Sequence, residues 1–165
     1  MPDFAISRVL VPVDFSPQAD AAVTCAGAIA QRFGAHVDLL HVLDEQVVWE
    51  GGGEAPATSR FAEDLSTSAR HRLEAMATEL GSRGLRVRVH VRPGRPVATT
   101  LELAAETGAG LIVMGTHGRR GVAHLLMGSV AEQVVRSAPC PVLTVNRLGA
   151  AETAADSQLA PEPAL

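Results

Sequence analysis

The chain contains no lysine and no tyrosine, and few aromatic residues of any kind. All fourteen of its basic residues are arginine. Without lysine there is no Schiff-base chemistry, no phosphate-loop lysine and no kinase-type lysine–glutamate pair. The aromatic share is 3% (Phe4, Phe15, Phe33, Trp49 and Phe61), too few for the stacking platforms that hold single-stranded nucleic acid. Cys25 and Cys140 have no CxxC spacing and no histidine cluster beside them, which suits small buried hydrophobes better than metal ligands or redox groups. No apolar run approaches the roughly 20 residues a membrane helix needs. The segment around Asp3 lacks the basic flank and apolar stretch of a signal peptide. These absences predict a cytoplasmic protein with neither a membrane nor a nucleic-acid partner.

What is present fits one globular domain. The chain has 165 residues, 47% of them apolar and 19% charged. Its net charge of −4 is uneven. Residues 148–165 carry Glu152, Asp156 and Glu162 with no arginine, so −3 of the total falls on this segment and −1 remains for the body. The segment is rich in alanine, proline and glutamate, and reads as a disordered tail after a domain spanning 1–147.

Along that domain the hydrophobic pattern alternates between two periods. Residues 8–14 form a short, nearly all-apolar run, as expected of a strand buried on both faces. Ser16 and Pro17 open a helix whose apolar positions run from Ala22 to Phe33, and Gly34 ends it. A second strand covers 36–43. Residues 44–59, with three consecutive glycines and Pro56, are expected to be irregular. Phe61, Leu65, Ala69, Leu73, Met76 and Leu80 make the stripe of a long helix stopped by Gly81 and Gly84. Residues 86–92 alternate strictly, which predicts a strand with a wet face or at a sheet edge. A helix from Pro96 to Gly108, a strand over 111–114, a helix over 129–137 and a strand over 141–145 complete the series. Strands and helices in alternation imply a single doubly wound, Rossmann-like α/β domain: a five-stranded parallel sheet with helices on both faces. In such sheets ligands bind beyond the carboxyl ends of the strands, where strand order reverses.

The fourth strand runs into a glycine-rich segment. Gly115, Gly118, Gly128 and Ser129 follow the spacing Gly-x2-Gly-x9-Gly-Ser, and six of the fifteen glycines lie between Gly108 and Gly128. Glycine lets the backbone approach a ligand closely, and a helix start offers free N–H groups and a positive dipole end. The pattern describes a phosphate cradle made of backbone and one serine rather than lysine.

With residues 9–14 (VLVPVD) at one end and 139–145 (PCPVLTV) at the other, this pattern resembles the ATP-binding branch of the universal stress protein family. The resemblance covers about residues 6–147. It departs at Gly110, where similar sequences usually carry aspartate before the fourth strand. It implies ATP, with Mg²⁺ on the phosphates. Asp14 would contact the adenosine, with Pro12 and Val13 as adjacent wall. Val42 would read the adenine edge through its backbone, and Met114 and Gly115 would border the ribose. Gly118, Gly128, Ser129 and Val130 would hold the phosphates. Arg119 lies beside that path and can offer the charge lysine would otherwise supply. The resemblance also implies a homodimer formed along an exposed fifth strand through Val142, Leu143 and Val145.

Each residue has a plainer assignment. Asp14 can cap the first helix together with Ser16, and Gly115 and Gly118 can be turn glycines. His117 and His124 match no metal spacing, and strand histidines such as His41 and His90 are commonly satisfied core or edge groups. No nucleophile elbow, zinc pair or cysteine–histidine signature is present. The resemblance therefore implies a stress-response regulator that holds ATP. A slow Mg²⁺-dependent ATPase or autophosphorylating enzyme and a nucleotide-free dimerisation module are the alternatives.

Overall fold

The computed structural model describes residues 5–45, 55–116 and 127–146. Among the described residues the elements follow in the order β1 (Arg8–Pro12), α1 (Pro17–Phe33), β2 (His36–Asp44), α2 (Ala55–Ser82), β3 (Val87–Gly94), α3 (Pro96–Thr107), β4 (Leu111–Gly115), α4 (Ser129–Ser137) and β5 (Val142–Val145). The strands form one parallel sheet in the order β3-β2-β1-β4-β5. The sequence reaches this arrangement through alternation. Val9, Val11 and Val13 enter a core under α1 and α2, whereas Leu10 and Leu40 enter a second core with Leu103 of α3 and Val134 of α4. A central strand with both faces covered must be apolar throughout, and β1 is.

The helix limits follow from local chemistry. Ser16 caps α1, its hydroxyl accepting the Ala19 N–H at 3.2 Å, and Gly34 closes the helix in the left-handed conformation. The apolar stripe of α2 places Ala69, Leu73 and Leu80 in the core. Truncating one of the fully buried leucines would leave a cavity costing about 2–5 kcal/mol.

Three expected limits are corrected. Residues 44–59 are not irregular throughout, because α2 already begins at Ala55 and contains Pro56. A proline in a first helical turn gives up no intrahelical hydrogen bond, so it starts this helix instead of excluding it. Gly81 does not stop α2; the helix runs to Ser82, and the positive-φ turn falls at Gly84. The strand over 86–92 runs to Gly94, taking in Pro93 at the sheet edge, where the missing N–H is tolerated. Its strict alternation does correspond to an edge position. The tail 148–165 and the domain limit at 147 lie outside the described residues.

Gly110, the departure noted in the sequence, has a steric cause. A Cβ there would lie 2.7 Å from the Ala5 carbonyl oxygen and 3.3 Å from the Ile6 Cα, while its N–H donates to the Arg8 carbonyl at 3.0 Å. The Ala5–Ile6 backbone lies too close to residue 110 for a side chain at this position.

Candidate functional site

Strand order reverses between β1 and β4, and there the ladder is short. Only Val9–Leu111 and Leu10–Ile112 pair, although β1 continues to Pro12 and β4 to Gly115. The two carboxyl ends therefore part from one another at the switch point, where open α/β sheets place their ligands.

Three turns meet along that edge. After β1, Asp14 Oδ1 accepts the Ser16 N–H at 3.0 Å and the Ser16 hydroxyl at 2.6 Å. The helix-capping assignment of Asp14 and Ser16 thus holds, and it fixes the direction of the Asp14 carboxylate. Beside it, Gly115 ends β4 against the first turn of α1. A Cβ on Gly115 would stand 2.9 Å from the Gln18 Cβ and 3.1 Å from its carbonyl carbon, so only glycine admits this contact. Beyond β4, the Thr116 N–H donates to the Val145 carbonyl, and the Gly128 N–H donates to the Thr116 carbonyl at 2.7 Å. This pair of bonds ties the start of α4 to the end of β4.

The start of α4 is suited to an anion. Its N-cap is Gly128, which makes no side-chain capping bond, and Ser129 and Val130 are exposed. The amides of the first turn carry the positive end of the helix dipole. The Gly128 amide itself is committed to Thr116, which leaves Ser129 and Val130 as the relevant donors. Glu132, in the same turn, is bound to Arg136 Nη2 at 2.8 Å.

The remaining expected residues divide. Val42 lies near the carboxyl end of β2. The Leu40 carbonyl accepts the Val13 N–H at 2.7 Å, so the Leu40 backbone faces β1; two residues on, Val42 faces the same way, past the last β1 pair at Pro12–Leu40. Pro12 is half-buried at the same edge. Val13 and Met114, by contrast, are 3% and 5% exposed and send their side chains into the two cores. Only their backbones reach the edge. Gly118, Arg119, His117 and His124 lie outside the described residues.

His41 and His90 are satisfied strand histidines, as expected, but sequence reading missed their partners and the roles of Phe15, Arg72, Asp38 and Arg8. His41 Nδ1 lies 2.7 Å from the Val13 carbonyl and, facing an acceptor, donates to it. Phe15 packs against both the His41 ring and the Arg72 guanidinium. On the opposite face, fully buried Asp38 receives Arg8 Nη1 at 2.9 Å and His90 Nε2 at 2.8 Å. Burial alone would raise the Asp38 pKa, but the bonds from His90 and Arg8, with the Arg8 charge, hold it below the usual carboxylate value. The signal was a lone acid inside the apolar run of β2. Cys25 and Cys140 are half-buried and free, and burial raises the Cys140 thiol pKa. Among the described residues no cluster of three or more His, Cys, Asp or Glu is placed to hold a metal ion, and no helix is long and apolar enough to cross a membrane.

These features define a doubly wound parallel α/β domain whose β1 and β4 part at the switch point, with an uncapped helix start tied to the end of β4. The sequence profile of the Universal stress protein family matches residues 5–146, and the chain belongs to that family. Universal stress protein MJ0531 of Methanocaldococcus jannaschii is 32% identical over 142 residues, covering 85% of this chain and 82% of that protein. The solved structure of MJ0577 from the same organism superposes with a TM-score of 0.79 at 29% identity, over 87% of this chain and 98% of that one. A universal stress protein solved in complex with cAMP superposes with a TM-score of 0.58 at 28% identity, over 87% of this chain and 98% of the other.

Proposed function

We propose that this chain is an ATP-binding regulatory protein of the stress response, with the nucleotide lying across the carboxyl ends of β2, β1 and β4. The observation that carries the reading is the parting of β1 and β4 beside the uncapped start of α4. Asp14 takes the adenosine, and the Val42 backbone meets the adenine edge. Gly115, whose side-chain space is taken by the first turn of α1, borders the ribose through its backbone, and the Ser129 and Val130 amides with the Ser129 hydroxyl take the phosphates. Gly118 and Arg119 complete the phosphate side. Mg²⁺ is carried on the phosphates themselves. A relative that binds cAMP supports an adenine nucleotide in this pocket.

The same reading makes the protein a homodimer along β5. That strand is an edge, and Leu143 is 38% exposed. Val145, however, is 8% exposed within one core and Val142 packs against the other, so Leu143 carries the contact.

The test is a melt of the purified protein with ATP and Mg²⁺, together with analysis of nucleotide released on denaturation. ATP at 100 times its Kd should add about 2.7 kcal/mol of stability. An unchanged melting temperature with no released nucleotide overturns the assignment.

A further inference from the structure

Phe15 is the only described residue other than glycine with positive φ, at 62°. A bulky L-residue rarely takes that conformation, and where it does, its surroundings must hold it there. Two groups do so here. The Arg72 guanidinium carbon stands 3.8 Å from the centroid of the Phe15 ring, within cation–π range. The His41 ring lies tilted at 33° with its centroid 4.6 Å away, and His41 Nδ1 is fastened to the Val13 carbonyl. Arg72 belongs to α2 and His41 to β2, so two separate elements grip one residue of the β1–α1 turn. That turn is the one that aims Asp14.

Helix capping does not account for the grip. The cap is supplied by Ser16, and the Ser16 conformation by Asp14 Oδ1. Glycine or asparagine at position 15 would satisfy the left-handed backbone with less strain. What a phenyl ring adds is a handle that α2 can hold.

We propose that Arg72, acting through Phe15, is a positioning residue for the nucleotide: it keeps residues 13–16 in the shape that presents Asp14 to the adenosine. The inference rests on the nucleotide reading above. It also makes α2 the element through which occupancy of the pocket is felt elsewhere, since whatever moves Arg72 changes the turn and, by linkage, the reverse.

Arg72 is exposed, so Arg72→Gln should fold as the parent does. ATP titration by calorimetry should show R72Q binding about two- to fivefold more weakly, with R72K recovering most of the loss because an ammonium stays over the ring. Amide exchange at Phe15 and Ser16 should quicken in R72Q while the melting temperature moves little. Parent-like ATP affinity in R72Q overturns the proposal. So does weakened affinity with unchanged exchange, which would mean that Arg72 touches the ligand directly. If the parent chain binds no ATP, the nucleotide reading itself fails; quickened exchange in R72Q would then leave the clamp standing as a structural device alone and overturn its role in positioning.

Discussion

Asp14 Oδ1 accepts both the backbone N–H and the hydroxyl of Ser16, at 3.0 and 2.6 Å, so the residue assigned to adenosine also shapes the turn that holds it. The two tasks separate by substitution. Asp14→Asn keeps an acceptor oxygen for Ser16 but loses the charge, whereas Asp14→Ala loses both. D14A should lower stability by about 1–2 kcal/mol and ATP affinity at least about tenfold, which is 1.4 kcal/mol. D14N should weaken ATP binding with a smaller change in melting temperature. Thermal melts and calorimetry on the pair check this. Parent-like ATP affinity in D14A would confine Asp14 to the turn.

The buried Asp38 gives the protein an acid-sensitive component of stability. Its folded pKa lies below its unfolded value of about 3.9. Its contribution is therefore complete above that value and is lost as pH falls from there through the folded pKa. Asp38→Asn should cost on the order of 3 kcal/mol at pH 7, because Arg8 and His90 lose their shared carboxylate. It should also flatten the acid limb of the stability curve. Urea unfolding of parent and variant between pH 2 and pH 7 measures both effects; parallel acid limbs would show that other carboxylates control it.

The fold was legible because its signals are local and repeated. The alternation of Val9, Leu10 and Val11 between two cores, the Ser16 cap and the Gly34 and Gly108 terminators each depend on a few neighbouring residues. The start of α2 was not legible, because a proline reads as a breaker until its position in the first turn is known. The candidate residues were legible as spacing; the structure places Pro12, Asp14, Val42 and Gly115 at or near the carboxyl ends of their strands and Gly128, Ser129 and Val130 at the start of α4. What spacing could not show was direction. Nothing in the sequence says that the Val13 and Met114 side chains turn into the cores, or that the Gly128 amide is taken by Thr116. Nor could it bring Arg72 and His41 both against Phe15, since that contact needs separate elements packed together.

Gly110 offers a steric test of the fold. Replacing it with the aspartate usual in similar sequences puts a Cβ 2.7 Å from the Ala5 carbonyl oxygen. The reduced freedom of the unfolded chain returns at most about 1 kcal/mol, whereas pushing backbone away from backbone costs about 1–3 kcal/mol. The clash should win, and the added charge faces a carbonyl as well. Gly110→Asp should therefore lower the melting temperature, and Gly110→Ala should do so less. A melting temperature at or above that of the parent would mean that the Ala5–Ile6 segment yields freely.

The edge strand provides the last prediction. β5 pairs with β4 on one side only, and Leu143 projects from it with 38% of its surface exposed, while Val135 of α4 is 44% exposed. An apolar edge of this kind invites a second copy unless something covers it. Leu143→Glu puts like charges on both sides of a two-fold interface while leaving the core untouched, since the fully buried side chains lie elsewhere. The variant should melt within a few degrees of the parent, as surface substitutions usually change stability by no more than about 0.5 kcal/mol. Sedimentation equilibrium should find the parent as a dimer and L143E as a monomer. A dimer that survives L143E would move the interface away from β5.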